Sequence, residues 1–313
     1  MAMSITVIVP THDRPDSLSR AVGAILAQDR RGDELIVVND GAGELSDDIA
    51  DRAAAAGVDF RGIRRQEPSS SASRNAGLAV ARGDIAVLID DDMVPAQDYL
   101  RRLAELYQAD SRQLVAGIGA TYAMSQPPPI AQRIWDALAA ALAENRWATR
   151  RCAARYVRLA TSLAGRLVPA RRLAGGAISL RRRVYTIHRF TEAFGGYCLG
   201  EDTEFSFRLG RTEALFLAPE LTIRHEMPAT GRPDPQARGR MYAANMLYIA
   251  AHSVDRGAGT WMLLLYHLAG LTLLAAAWGV FSRRSANLPL AAGLAGELSR
   301  QAWKALRRLV CGS

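Results

Sequence analysis

The sequence predicts an α/β fold, with a mostly parallel sheet carrying helices on both faces and a C-terminal hydrophobic helical region behind it. Three observations predict it. Short apolar runs, Ile5–Val9, Glu34–Val38 and Ile85–Ile89, alternate with stretches of helical spacing. Strands that are apolar throughout belong to sheets covered on both faces. Further on, Trp261–Phe281 contains no Asp, Glu, Lys or Arg. The expected division is an α/β domain over 1–230 and a helical, membrane-associated region over 231–313.

Each element has its own signal. Ile5–Val9 is a β-branched run stopped by Pro10. Leu18–Ala27 has helical apolar spacing, with Asp16 or Ser17 placed to cap it. Glu34–Val38 runs into Asn39-Asp40-Gly41, and Leu45–Ala56 is a helix closed by Gly57. Ser73–Ala81 is a helix closed by Gly83. Ile85–Ile89, the third strand, ends in Asp90-Asp91-Asp92, and Tyr99–Gln108 is helical. Thr11–Arg14, Asn39–Gly41 and Asp90–Asp92 therefore fall at the carboxyl ends of strands, where sheets of this kind bind ligands.

Beyond a break at Gln126-Pro127-Pro128-Pro129, Ile134–Leu167 reads as an Ala/Arg-rich helix. Its arginines (Arg146, Arg150, Arg151, Arg155, Arg158, Arg166) read as a solvated face. Arg238–Ala251 reads as an amphipathic helix whose apolar face is Met241, Ala244, Leu247 and Tyr248.

Composition narrows the function classes. The chain has 313 residues, 49% hydrophobic, which excludes wholesale disorder. It has 39 basic and 31 acidic residues, net +8. The arginines form no dense cluster and no nucleic-acid motif is present, so nucleic acid is not an expected partner. Cys152, Cys198 and Cys311 give neither a disulfide framework nor paired zinc spacing. A reducing, cytoplasmic setting is the expectation. No basic segment precedes the first apolar run, so it reads as a strand and not a signal peptide.

The charge-free segment 261–281 has just the length to cross a bilayer core of about 30 Å. The basic Arg283-Arg284 after it would leave the C-terminus in the cytoplasm. A single crossing would then put the preceding domain outside. The expectation is instead a helix embedded at the cytoplasmic face of the membrane, a re-entrant hairpin, or a second hydrophobic partner. A buried helix or a homo-oligomer contact is the plainer alternative. In Leu298–Val310, basic residues interleave with Trp303, Leu306 and Leu309, as in an interfacial helix on anionic lipid.

Two acidic groups carry chemistry. A leaving diphosphate gathers charge that a divalent cation offsets, and Mg2+ or Mn2+ wants one or two carboxylates besides the phosphates. Asp90-Asp91-Asp92 supplies carboxylates at a strand end. If the backbone stays extended, 90 and 92 share a side and 91 points away. Glu201-Asp202 follows Gly195-Gly196-Tyr197-Cys198-Leu199-Gly200 and opens a helix carrying Phe205, Phe207 and Leu209. A carboxylate there is electrostatically stabilised and suits a base that deprotonates a hydroxyl. Each group alone also reads as a solvated turn or a capping acid.

Taken together, the motifs resemble family 2 glycosyltransferases of the GT-A fold. The matching segments, in order, are Val7-Ile8-Val9-Pro10-Thr11-His12-Asp13-Arg14-Pro15, Val37-Val38-Asn39-Asp40-Gly41-Ala42, Ser73-Arg74-Asn75-Ala76-Gly77-Leu78, Ala81-Arg82-Gly83-Asp84, Leu88-Ile89-Asp90-Asp91-Asp92, Gly175-Gly176-Ala177-Ile178-Ser179-Leu180-Arg181-Arg182, Gly200-Glu201-Asp202 and Arg208-Leu209. The resemblance covers about residues 4–225 and implies an inverting, metal-dependent transferase. Its donor would be a nucleotide sugar, UDP- or dTDP-linked, and its acceptor a glycan, lipid-linked or small-molecule hydroxyl.

The resemblance also implies roles. Thr11, Asp13 and Asp40 contact the nucleoside, with Pro10, Arg14, Asn75 and Asp91 among the donor-binding set. Arg74 faces the diphosphate or the wall beside the base. Asp90 binds ribose or sugar, and Asp92, with His225, serves a Mg2+ or Mn2+ ion. Asp202 is the base, Glu201 orients or binds acceptor, and Gly175 and Gly176 line the acceptor side. His12-Asp13 replaces the commoner aromatic-Asn pair, and Asn39 a common Asp. The rival reading is a catalytically inactive, membrane-associated nucleotide-sugar or glycan-binding protein.

Overall fold

A computed structural model describes residues 3–123, 163–226, 234–253, 258–281 and 287–311. Within 3–123 and 163–226, one compact unit is built on a sheet of nine strands. They are β1 (Ile5–Thr11), β2 (Glu34–Asn39), β3 (Asp59–Arg64), β4 (Ile85–Ile89), β5 (Met93–Pro95), β6 (Val115–Ala123), β7 (Val168–Pro169), β8 (Ala177–Arg181) and β9 (Ala214–His225). Their order is β3-β2-β1-β4-β8-β6-β9-β5, with β7 on β9. Strands β3, β2, β1 and β4 pair in parallel, as do β6 and β9, whereas β8, β5 and β7 run against their neighbours. The fold is thus mixed α/β on a mostly parallel sheet.

The helices of this unit are α1 (Pro15–Leu26), α2 (Asp48–Ala55), α3 (Ser70–Val80), α4 (Tyr99–Ala109), α5 (Arg182–Tyr185) and α6 (Glu201–Leu209). Alternate strand residues feed two cores. Ile5, Val7 and Val9 of β1, with Val87 and Ile89 of β4, pack with Leu18 and Val22 of α1 and Leu103 of α4. Ile8 and Leu88 join Leu78 of α3, Tyr185 of α5 and Phe205 of α6. Since both faces of β1 are apolar, the hydrophobic pattern does not fix its register by itself. Polar anchors do so. The Ile5 N–H donates to Asp33 at 2.7 Å, and the buried Thr6 hydroxyl donates to Glu34 at 2.7 Å. Glu34 also accepts from Arg82 N–H at 3.0 Å and Arg82 Nε at 2.9 Å. Burial would raise the Glu34 carboxyl, but these donors more than offset it and hold it below the usual range.

Several local expectations are corrected. Helix α1 begins at Pro15, with Arg14 at the cap position and no side-chain cap bond. Proline at the first helical position needs no N–H partner, so the helix starts before Asp16 and Ser17. Ser69 caps α3, accepting from Ala72 N–H at 3.3 Å, and the helix ends at Val80. The third strand in sequence is β3, which follows β2 and sits at the sheet edge. Residues 163–167 are not α-helical, and the rest of the proposed helix over 134–167, with all its arginines but Arg166, lies outside the described residues. Arg166 pairs with Glu220 at 2.8 Å.

The second compact unit contains helices α7 (Pro235–His252), α8 (Ala258–Phe281) and α9 (Asn287–Cys311). The buried side of α7 is Gly239, Ala243, Met246, Ile249 and Ala250, not the face centred on Met241, Ala244, Leu247 and Tyr248. Backbone contact decides this. A Cβ at Gly239 would meet Leu290 O at 2.3 Å, and one at Gly293 would meet Gln236 O at 2.1 Å. Small residues let α7 and α9 touch there, and the larger side chains turn to the flanks. Tyr242 Oη lies 2.9 Å from His267 Nε2 of α8. Among the described residues no helix is long and apolar enough to cross a membrane.

Candidate active site

The carboxyl ends of β1, β2 and β4 converge as the sequence expects. The acidic triplet does not stay extended. Met93 N–H donates to Asp90 O at 3.0 Å and closes a turn, so the alternation of 90 and 92 against 91 is lost. Asp91 and Asp92 are both buried and share Arg14, whose Nη1 lies 3.1 Å from Asp91 Oδ1 and 3.4 Å from Asp92 Oδ2. The Thr11 hydroxyl donates to Asp91 Oδ2 at 2.8 Å. Burial raises the Asp91 carboxyl to about 6, against Thr11 and Arg14 and with help from Asp90 and Asp92. Asp92 Oδ2 lies 3.4 Å from His225 Nε2 at the end of β9, and Glu226 N–H donates to Asp92 O at 2.8 Å.

Beyond β2, Asn39 and Asp40 divide the labour. Asn39 shapes its own turn, accepting from Gly41 N–H at 2.9 Å and donating to Gly43 O at 2.6 Å. Asp40 is buried and ties β1, β2 and α3 together. His12 Nδ1 lies 3.0 Å from its Oδ1, while Ser69 N–H and the Ser73 hydroxyl each donate to Oδ2 at 2.8 Å. Asp13 adopts φ +50° and accepts from Ala42 N–H at 2.8 Å, leaving its side chain half exposed. Pro10 sits within β1, paired with Val38.

Arg74 lies between two acids. Its side chain is 3% exposed, its Nη2 donates to Asp90 Oδ1 at 2.8 Å and its Nη1 to Glu201 Oε1 at 2.5 Å. Its guanidinium carbon stands 5.5 Å from the Phe190 ring centroid. The neighbouring Asn75 donates to Phe190 O at 3.0 Å and Glu192 Oε1 at 2.8 Å, and accepts from Phe190 N–H at 2.8 Å. Burial raises the Glu201 carboxyl above the usual carboxylate range; Arg74 pulls it back and Asp202 pushes it further up.

Asp202, in the first turn of α6, accepts from Gly175 N–H and Arg172 Nη2, both at 3.0 Å, and from Thr203 N–H at 2.7 Å. Gly176 O accepts from Asp90 N–H at 3.2 Å, so the Gly175-Gly176 turn links the triplet to the acid pair. A Cβ at Gly175 would lie 3.2 Å from Arg74 Nη2 and 3.3 Å from both Asp202 Cβ and Glu201 Oε1, so a larger residue there would push these side chains aside by a few tenths of an ångström.

Tyr122 near the end of β6 is a site residue that the sequence reading missed. It is 37% exposed, with its ring centroid 6.0 Å from that of His225. Its hydroxyl lies beside the Gly176 backbone, and burial with Asp90 and Asp202 pushes it up to about 12. No local pattern marks it, because the sequence around it is small-residue strand.

No group of three or more His, Cys, Asp and Glu able to hold a metal occurs among the described residues. The pair Asp92–His225 still fits a divalent cation. Two ligands of one octahedral ion at about 2.1 Å stand roughly 3 Å apart, close to the 3.4 Å found. Such an ion takes its other ligands from phosphates and water.

Comparison with known proteins gives a family match and a shared fold. Residues 6–156 match the family described as glycosyl transferase family 2. An uncharacterized glycosyltransferase of Nostoc sp. is 30% identical over 107 residues, 34% of this chain and 33% of that protein. Glycosyltransferase GlyA of Streptococcus pneumoniae is 32% identical over 109 residues, 34% of this chain and 16% of its own. A glucosyl-dolichyl phosphate glucuronosyltransferase of Haloferax volcanii is 31% identical over 124 residues, 37% of each. The matches thus span about a third or less of these relatives' lengths. The same fold occurs in S. aureus TarS 1–349, with TM-score 0.56 and 14% identity over 88% of this chain and 74% of that one. It occurs too in a mannosyltransferase of Pyrobaculum calidifontis solved with GDP-Man and Mn2+, with TM-score 0.55 and 18% identity over 99% of this chain and 83% of that one.

Proposed function

We propose, from the match of residues 6–156 to glycosyl transferase family 2, that the chain is an inverting glycosyltransferase. It moves a sugar from a nucleotide diphosphate, UDP- or dTDP-linked, to the hydroxyl of a glycan, a lipid-linked sugar or a small molecule. One observation supports the reading: Arg74 bridges the Asp90 and Glu201 carboxylates, and the Gly175-Gly176 turn bonds the Asp90 N–H on one side and Asp202 on the other, so the acidic triplet and Glu201-Asp202 are held side by side.

In this reading Asp202 takes the proton of the acceptor hydroxyl, whose oxygen attacks the anomeric carbon opposite the diphosphate. The bond to the diphosphate breaks and configuration inverts. Gly175 N–H and Arg172 orient the Asp202 carboxylate, and Arg74 holds Glu201 against the donor-side Asp90. Thr11, Asp13, Arg14 and Asp40 form the nucleotide end, directly or by shaping its turns. Asp92 and His225 would hold Mg2+ or Mn2+, which when bound supplies charge stabilisation for the departing diphosphate.

The working location is the cytoplasmic face of a membrane, where nucleotide sugars and lipid-linked acceptors meet. A screen of nucleotide sugars for hydrolysis, with Mn2+ or Mg2+, tests the reading. Release of nucleotide diphosphate from at least one donor is expected, and failure to bind or hydrolyse any of them would refute it.

A further inference from the structure

The helical unit exposes large apolar side chains along definite stripes. On α8, Met262 is 70% exposed, Leu265 52%, Tyr266 51% and Leu273 71%. The positions i, i+3, i+4 and i+11 lie on one side of a helix. They span about 16 Å at 1.5 Å per residue. The opposite side, Leu264, His267 and Leu268, is buried. On α9, Leu288 is 46% and Trp303 58% exposed. A stripe of this kind in water marks an interaction surface.

The sequence of α8 holds no Asp, Glu, Lys or Arg, and every charged residue after Glu297 is basic: Arg300, Lys304, Arg307 and Arg308. That combination decides among occupants. A second copy of the chain would bring like charges together across the interface. An acidic protein would meet the basic residues of α9 but offer nothing to the apolar stripe. A lipid surface with anionic headgroups satisfies both, taking the stripe into its acyl boundary and the basic residues among its phosphates.

We propose that the exposed stripe of α8, with Leu288, Trp303 and the basic residues of α9, seats the protein on an anionic bilayer without crossing it. This deepens the membrane-face part of the proposed function and does not depend on the transfer chemistry.

The test is flotation of the full chain with vesicles of phosphatidylcholine alone or of equal parts phosphatidylcholine and phosphatidylglycerol. Binding is expected to the anionic vesicles and to weaken with salt. Each of Leu265→Ser and Leu273→Ser should lower partitioning about tenfold, the effect of removing one buried leucine. Lys304→Gln should lower it about fivefold, on anionic vesicles alone. Leu265 and Leu273 are exposed, so circular dichroism and nucleotide-sugar hydrolysis of their variants without vesicles should match the parent. Failure of the parent chain to float, or unchanged partitioning of the leucine variants, overturns the proposal. So does a stripe-dependent dimer in solution that excludes lipid. Donor hydrolysis without vesicles reports separately on the transferase reading.

Discussion

Replacing Arg74 by Met removes the positive charge that lies between Asp90 and Glu201. The side chain is 3% exposed, Glu201 is 11% and Asp90 29%. The Asp90 end is open enough for water to screen it, so most of the loss falls on Glu201. Removing one partner of a buried ion pair costs about 3–5 kcal/mol, mainly through the charge left behind. For a unit of this size that lowers the melting temperature by roughly 10 °C.

The sign with pH follows from the same geometry. Without Arg74 the Glu201 carboxyl rises further above its unfolded value of about 4.3. The folded state then holds the proton that the unfolded state has lost, so stability falls as pH rises through that window. The deficit of Arg74→Met should therefore be larger near pH ~8 than near pH ~5. The double variant Arg74→Met/Glu201→Gln leaves neither charge of this pair and should recover about 1–2 kcal/mol relative to additivity. Urea unfolding of the four proteins at two pH values measures all of this. A cost below about 1 kcal/mol, the scale of a surface pair, or strict additivity would refute the argument.

Two further predictions concern single residues. Glu34→Gln should cost about 1–3 kcal/mol near neutrality, because its donors lose a charged acceptor. Glu34 has a depressed folded pKa, so its contribution is present above the unfolded value and is lost as pH falls through the folded one; the gap between variant and parent should close in acid unfolding. At Tyr122, the Phe variant should keep donor hydrolysis within about threefold, while Tyr122→Ala should lower kcat/KM at least about tenfold by opening the wall between Asp90 and Asp202. Equal effects from Phe and Ala would locate the role in the hydroxyl instead.

The legible parts of the fold were those set by local pattern. Strands β1, β2 and β4 are buried on both faces, so their apolar runs stood out, but Pro10 does not stop β1 as the sequence suggested: the strand runs through it to Thr11. Strand β3 was missed because it is an edge strand in which Asp59, Arg61 and Arg64 interrupt any apolar run. The helices were found, α4 and α6 from their first residues, but the starts of α1 and α3 were not, since Pro15 and Ser69 act through backbone geometry that apolar spacing does not report. Within the site, the strand-end placement of Thr11, Asp40 and Asp90 was readable. The partition of the triplet was not: a turn bond from Met93 N–H to Asp90 O overrode the strand alternation. Nor was the position of Arg74 between Asp90 and Glu201, because that pairing joins residues 127 apart in sequence. Tyr122 gave no signal, as its neighbours in the site come from β9 and the Gly175-Gly176 turn.

The central claim is that Asp202 is the base of a glycosyl transfer. The most direct measurement sets nucleotide-sugar hydrolysis beside nucleotide binding for the parent and Asp202→Asn, with Mn2+ or Mg2+ present. Loss of a positioned base should lower turnover about a hundredfold or more, while the nucleotide Kd stays within about threefold. An Asn variant that hydrolyses donor at the parent rate would contradict the account.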